Sequence, residues 1–516
     1  MATVTTEQEL QDAISAFDPQ IIIQNDIVLT VRNTVNYNLE ITSDGSVLSW
    51  GGAENQIMFS VIDGGSLTIG NVILDGRGKY AILVNVAAST FVMNEGAVLR
   101  NVSTNSANRA VRVGLATDVN LGGTFVMNGG LITGVMMDAA VSCTGGTMVM
   151  SGEAAIADNQ AYGIALQGST LTMTGNSRIS GNVAARPGAG ILAFDQAVIN
   201  MGRSEGDAPR ISDNRSTDSY SGGIYLAGGS VLNMDYDSAI TGNRAATLAG
   251  GVGMSAGTLN MSGNAVISGN LTQAGAGGGI FGAAGARIIM SGHAAVRDNE
   301  VADAGGLGGG VYLQQDGTVL TLNESASIDR NRAGLGGGIY LRAGSRLISG
   351  TQESDTPVIA DNAASAYGGG IYIDTGGAAV LTGLTGLNGN TAQTAGMGIY
   401  NIGAVSLAGS VKILDGFYYN SRMFVPVILA PLTDAAAIRL EGSDYMEPEN
   451  IPVVAAVKGG EYNALSAADS AAFILPDTFS ANTPVYRNRE RDEVVIGLVL
   501  RVNRASLSLL RMPTLC

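Results

Sequence analysis

Apolar and polar positions alternate in short bursts along most of this chain. From about 150 to 402 the apolar residues come in runs of a few positions with a two-residue rhythm. Glycine and small polar residues separate the runs. One stretch shows the pattern: Gly278-Gly279-Ile280-Phe281, then Ala286-Arg287-Ile288-Ile289-Met290, then Ala295-Val296-Arg297-Asp298-Asn299. A period of two is that of a strand with one buried face. Helical packing needs longer runs with a 3.6-residue period, and this glycine density forbids them. Three short strands per period, each pairing with its counterpart in the next, predict one coil of a parallel β-helix. A right-handed coil is expected, as for parallel crossovers generally.

The period is marked by a phrase that returns nine times, from Ile156-Ala157-Asp158-Asn159 to Leu387-Asn388-Gly389-Asn390. Its asparagines lie 23 to 32 residues apart, and Gly-Gly-Ile-Tyr-Leu or a variant follows each. Constant strands with loops that absorb insertions explain the variable spacing. The longest insertions are Gly202 to Pro209 and Gly350 to Pro357. Asparagine suits a tight corner for two reasons. It tolerates the left-handed conformation, and stacked copies can form an amide ladder. A methionine series, Met93, Met127, Met150, Met173, Met201, Met234, Met261 and Met290, shares a face with apolar neighbours and reads as an interior stack.

In Gly-Gly-Ile-Tyr-Leu the isoleucine and leucine share the inward face, so the aromatic points outward. Phe281, Tyr312, Tyr340, Tyr372 and Tyr400 hold this place in successive coils, and Tyr225 holds it earlier. Stacked outward aromatics form a candidate binding strip, because aromatic side chains bind sugar rings and favour interfaces. A loop or C-terminal residues lying over the strip is the competing expectation.

At the start, residues 5–17 read as an amphipathic helix with Leu10, Ile14 and Phe17 on one face, capped by Thr5 or Thr6. A strand over Ile21 to Val31 follows. These define an N-terminal cap over 1–38, ahead of the β-helix at 39–410, whose coils are looser before 150. After about 410 the glycine phrases stop and prolines gather. Strands are predicted at Phe424 to Leu429, Ile438 to Leu440, Pro452 to Ala456 and Glu493 to Leu498. The segment 411–516 reads as a C-terminal β cap or small β module, with an ambiguous tail from Arg501 to Cys516.

Composition narrows the function classes. The chain has 516 residues, 73 glycines and a net charge of −16. An acidic surface repels phosphate backbones and anionic headgroups, which argues against nucleic-acid and bilayer partners. Two cysteines, Cys143 and Cys516, cannot make a disulfide framework. No stretch is long and apolar enough to span a membrane. Met1 to Thr6 lacks the basic and apolar regions of a signal peptide, and a mature segment given a start methionine is the favoured reading.

Signals of catalysis and of bound cofactors are thin. Polysaccharide cleavage needs paired carboxylates, one to protonate the leaving oxygen and one to activate water or attack. Asp195, Asp235, Asp237, Asp316 and Asp374 are the candidates, although three of them follow the first strand, where aspartate is an ordinary turn residue. His293, the single histidine, reads as an exposed corner. Gly305 to Gly310 lacks the aspartate of a calcium nonapeptide, and no zinc spacing or P-loop is present. No cofactor or metal is expected.

The alternation of Gly-Gly-Gly-Ile-Tyr with Ile-x-x-Asn resembles the passenger repeats of chlamydial polymorphic outer membrane proteins. It is also similar to pectate-lyase-like β-helix domains of surface proteins from gut bacteria. The glycines at 222–223, 277–279, 308–310, 336–338 and 368–370 fall on the family's glycine phrase, and Asn270, Asn331 and Asn362 on its asparagine. Isoleucine replaces the family's phenylalanine, and no membrane barrel is evident. The resemblance implies a right-handed parallel β-helix and a non-catalytic, adhesin-like role at a bacterial surface or outside the cell. The implied partners are glycans or surface proteins. A polysaccharide lyase or glycoside hydrolase is the alternative, and a phage-tail or coat β-helix is a third.

Overall fold

The computed structural model describes residues 1–103, 109–114, 122–443, 453–460, 462–476, 479, 483–489 and 491–497. The tail from Arg501 to Cys516 lies outside them, as do Pro452 and Leu498 at the ends of two predicted strands. The chain is an all-β parallel solenoid of about 14 turns.

Three long parallel ladders run along it. The methionine ladder starts with Ala2–Val4 on Gln20–Ile23 and continues through Thr170–Met173 and Arg287–Met290 to Val453–Lys458. The asparagine-phrase ladder passes through Arg178–Ser180 and Ala295–Arg297, and the tyrosine ladder through Ile224–Ala227 and Ile339–Leu341. These two join at Lys412–Tyr418, which pairs with both Gly386–Asn388 and Ile399–Asn401. A fourth, short ladder of two- to five-residue strands stacks eight deep, from Val183–Ala184 to Thr391–Ala392. It begins directly after each asparagine. Two residues are too few to carry a periodicity, so the sequence pattern missed it.

The alternation holds within each ladder. Leu171 and Met173 are buried, as are Ile339 and Leu341. The methionine series fills the interior from Met93 to Met290, with Leu322 and Leu381 continuing the column. One continuous apolar core runs from Val4 to Ile496. Phe91 and Phe125 pair in register inside it, with rings stacked 5.1 Å apart. Cys143 is buried in this core, and burial raises its thiol pKa.

The N-terminal helix is Glu7–Ser15, shorter than the predicted 5–17. Thr6 accepts from the backbone N–H of Glu9, and the Glu9 carboxylate reaches back to Thr6, a reciprocal cap. Leu10, Ala13 and Ile14 are buried. Phe17 departs from the predicted face. It lies beyond the last turn at φ +59, is 61% exposed, and meets Tyr37 edge-on. Ile21 to Val31 is two strands, Gln20–Ile23 and Ile27–Leu29. They are split by a polar corner in which Asp26 accepts from the Val47 amide. At the other end Val427–Leu432 and Ala437–Leu440 extend the ladders. The first starts three residues later than predicted because Arg422–Phe424 forms a 3-10 turn capped by Ser421. Val453–Lys458 then pairs antiparallel with Glu493–Ile496, the first reversal of strand direction among the described residues.

Candidate functional site

The corner asparagines form a continuous amide ladder. Asn182 Nδ2 donates to Asn214 Oδ1 at 2.9 Å and to the Ile156 carbonyl at 3.1 Å, while its Oδ1 accepts from Asn159 Nδ2. The same set recurs through Asn243, Asn270, Asn299, Asn331 and Asn362 to Asn390. Every one of these side chains is buried. The left-handed residue at the corner is the one before the asparagine. Asp158, Gly181, Asp213, Gly242, Gly269, Asp298, Arg330, Asp361 and Gly389 all have φ between +54 and +70. The asparagine is therefore present for its amide, and the corner geometry falls to its neighbour, which is mostly glycine or aspartate. Arg330 is the exception, and its guanidinium pairs with Asp298 on the preceding coil.

The aromatic strip is a true stack. Phe281, Tyr312, Tyr340, Tyr372 and Tyr400 lie face to face with centroids 4.8 to 5.5 Å apart, and Tyr418 extends the row. Tyr225 stands apart, because Gly253 holds the intervening place and Tyr225 instead meets Tyr220 edge-on. Stacking uses up the ring faces, so the inner rings offer only edges. Tyr312 and Tyr340 are 3% and 6% exposed, under Leu248, Ala276, Leu307 and Leu335. These covering residues pair in a row of their own just before each glycine phrase. Phe281, Tyr372 and Tyr400 stay half-buried. The turn back onto the ring needs glycine. At Gly308, φ +63, a Cβ would lie 2.4 Å from the Val311 carbonyl oxygen.

The hydroxyls of the strip meet polar partners on its far side. Tyr340 donates to Asp374 at 3.0 Å, and Tyr312 donates to Gln314 at 3.1 Å. Burial, reinforced by Asp374, holds the Tyr340 hydroxyl far above its ordinary pKa, and burial pushes Tyr372 up to about 12.

The candidate carboxylates do not converge. Asp195, Asp316 and Asp374 sit at the corner after the tyrosine ladder, and Asp235 and Asp237 at the corner after the methionine ladder. Asp195 accepts from Gln167 and Asp237 from Asn264, both one coil earlier or later in ordinary turn contacts. His293 is exposed at a turn. No group of three metal-ligating side chains occurs among the described residues.

The two long insertions share an organisation that their sequences did not advertise. Asp207, 7% exposed, accepts from the amides of Gly175, Arg203 and Ser204 and from the Ser204 hydroxyl. Asp355, 4% exposed, accepts from the Gln352 amide and the Thr351 hydroxyl. The common signal is the aspartate two residues before the proline in Gly202 to Pro209 and Gly350 to Pro357. Burial alone would raise the Asp207 pKa, but these hydrogen bonds outweigh it and hold the carboxyl below its usual range. Thr351, Gln352 and Glu353 overhang a hollow of about 580 Å³ floored by Leu384, Ser410 and Thr433. A second hollow of about 440 Å³ lies over the short ladder. It opens where the Arg332 coil has a short loop beside the longer loop through Asp303. Compared with known proteins, the chain matches no family model and no curated sequence.

Proposed function

We propose that this chain is a non-catalytic, adhesin-like stem of pectate-lyase-like type, right-handed, displayed at a bacterial surface or secreted, that binds glycans or surface proteins. The observation that carries the reading is the pair of clamped insertions. Each is fixed by a buried aspartate before any ligand arrives, so binding there costs little loop ordering. A rigid ladder that presents pre-formed loops is a binding design. The contact surface is the hollow under Thr351 to Glu353, together with the open edges of Tyr372 and Tyr400. Phe281 and Tyr225 contribute at the other end of the strip. Tyr312 and Tyr340 act beneath them as support.

The test is an array of plant, bacterial and mucin glycans and of surface proteins, probed with the intact chain. Hits that weaken at least tenfold in Glu353→Ala or in Tyr372→Ala with Tyr400→Ala support the reading. Binding unchanged in both variants refutes this surface. New oligosaccharides released from the polymers refute the non-catalytic role.

A further inference from the structure

A different face of the molecule has a regularity that the binding loops do not use. The outer side of the methionine ladder is uncharged over eight successive rungs, from Ser66–Gly70 to Thr258–Met261. At its centre Thr90, Thr124, Thr147 and Thr170 stand in one column, in register. Val92, Val126 and Val149 form the parallel column two residues along, and Thr172 ends it. The β preference of threonine and valine accounts for the residue types. It does not account for the absence of charge in a chain of net −16, since the same columns carry Arg287 and Arg346 farther along.

The face is a flat two-dimensional lattice of hydroxyls and methyls. Its repeats are about 4.8 Å along the axis and about 6.6 Å between alternate residues. A tetrahedral water network with O···O near ~2.75 Å has second-neighbour oxygens ~4.5 Å apart and a layer repeat of ~7.3 Å. The two lattices agree to about a tenth in both directions. A second copy of the chain is a poor occupant. The eight rungs cover about 34 Å by ~10 Å, well under the ~800 Å² per partner that a stable interface buries. A sugar polymer is also poor, because these two columns hold no aromatic ring.

We infer that this face binds ice. Threonine hydroxyls donate and accept within the lattice, and the valine and threonine methyls hold the first water layer at a fixed height. The absence of charge avoids ions whose hydration shells would break that order.

The experiment measures thermal hysteresis and ice-crystal shape with the intact chain, with Thr124→Lys/Thr147→Lys, and with the control Thr321→Lys on the same ladder outside the patch. Circular dichroism verifies that each variant folds. The expected result is faceted crystals and hysteresis that falls at least tenfold in the double variant and persists in the control. Round crystals with the unaltered chain overturn the inference, and so does equal activity in the double variant. Sedimentation of the unaltered chain as a dimer that the double variant abolishes would assign the face to a second copy instead. The glycan and protein arrays do not involve this face, so either result stands without the other.

Discussion

Asparagine at the corner shows how much one side chain carries here. Asn331 donates to Asn362 and to the Val296 carbonyl, and accepts from the side chain and the backbone of Asn299. Asn331→Ala leaves all four partners buried without a bond, at about 1–3 kcal/mol for each group left unsatisfied. We expect at least ~3 kcal/mol of lost stability, read from the urea midpoint. A loss below ~1 kcal/mol would mean that water replaces the amide. Arg330→Gly should behave oppositely. It relieves a left-handed arginine at φ +54 and gives up an ion pair whose members are about half exposed, worth little. The expected change in the same midpoint is near zero or slightly stabilising. The repeat made the ladder legible, because identical amides at one place in every coil have few other uses. It misplaced the strain, because the residue before the asparagine varies among aspartate, glycine and arginine and shows no single type to read.

Among the elements, the aromatic stack and the clamped loops were legible to different degrees. The period-two rule put the rings outward correctly. Nothing in it could show that a row of residues before the glycines, Leu248 to Leu335, folds back over them, since that contact is set by loop length. Tyr372 gives a measurable consequence. Its folded pKa of about 12 lies above the ordinary value near 10, so the folded state holds the proton longer. The stability this adds is fully present below about pH 10 and is lost as pH rises toward 12. Tyr372→Phe should flatten that part of a stability–pH curve. An unchanged slope would mean that the ring is open to water. Asp207 works in the other direction, with a folded pKa held low. Its contribution is present above the ordinary carboxylate range and is lost as pH falls through it. Asp207→Asn should therefore narrow the gap in urea midpoint between pH 7 and pH 3, and a gap as wide as that of the unaltered chain would count against the clamp.

For the whole molecule, the parallel solenoid was the most legible feature, because it repeats at every level from residue to coil. The short fourth ladder and the ends were not. There the strands are two residues long, or proline and a 3-10 turn reset the register, as at Arg422–Phe424. A one-dimensional stack predicts tolerance to removal of a complete coil. Deleting 300–331 brings Asn299 directly before Arg332 and should give a folded, cooperative protein one rung shorter. Deleting only the first half of that segment should not fold, because it breaks three ladders at once. Far-ultraviolet circular dichroism and a single urea transition distinguish the two.

The amide ladder also has a direction. Every Nδ2–H from Asn159 to Asn390 points toward the C-terminal end, so the side-chain dipoles add head to tail, as peptide dipoles do along a helix. The C-terminal end of the row is its positive pole. Asp415 sits there and takes the last amide at 2.8 Å together with the backbone N–H groups of Gly389 and Asn390. At the opposite pole the first carbonyl oxygen, on Asn159, takes a neutral donor, the Val135 amide. Asp415 thus caps a polar wire about nine amides long, in the way an aspartate caps the first turn of a helix. Coils can be added or removed anywhere along the wire, but its terminus is fixed by charge.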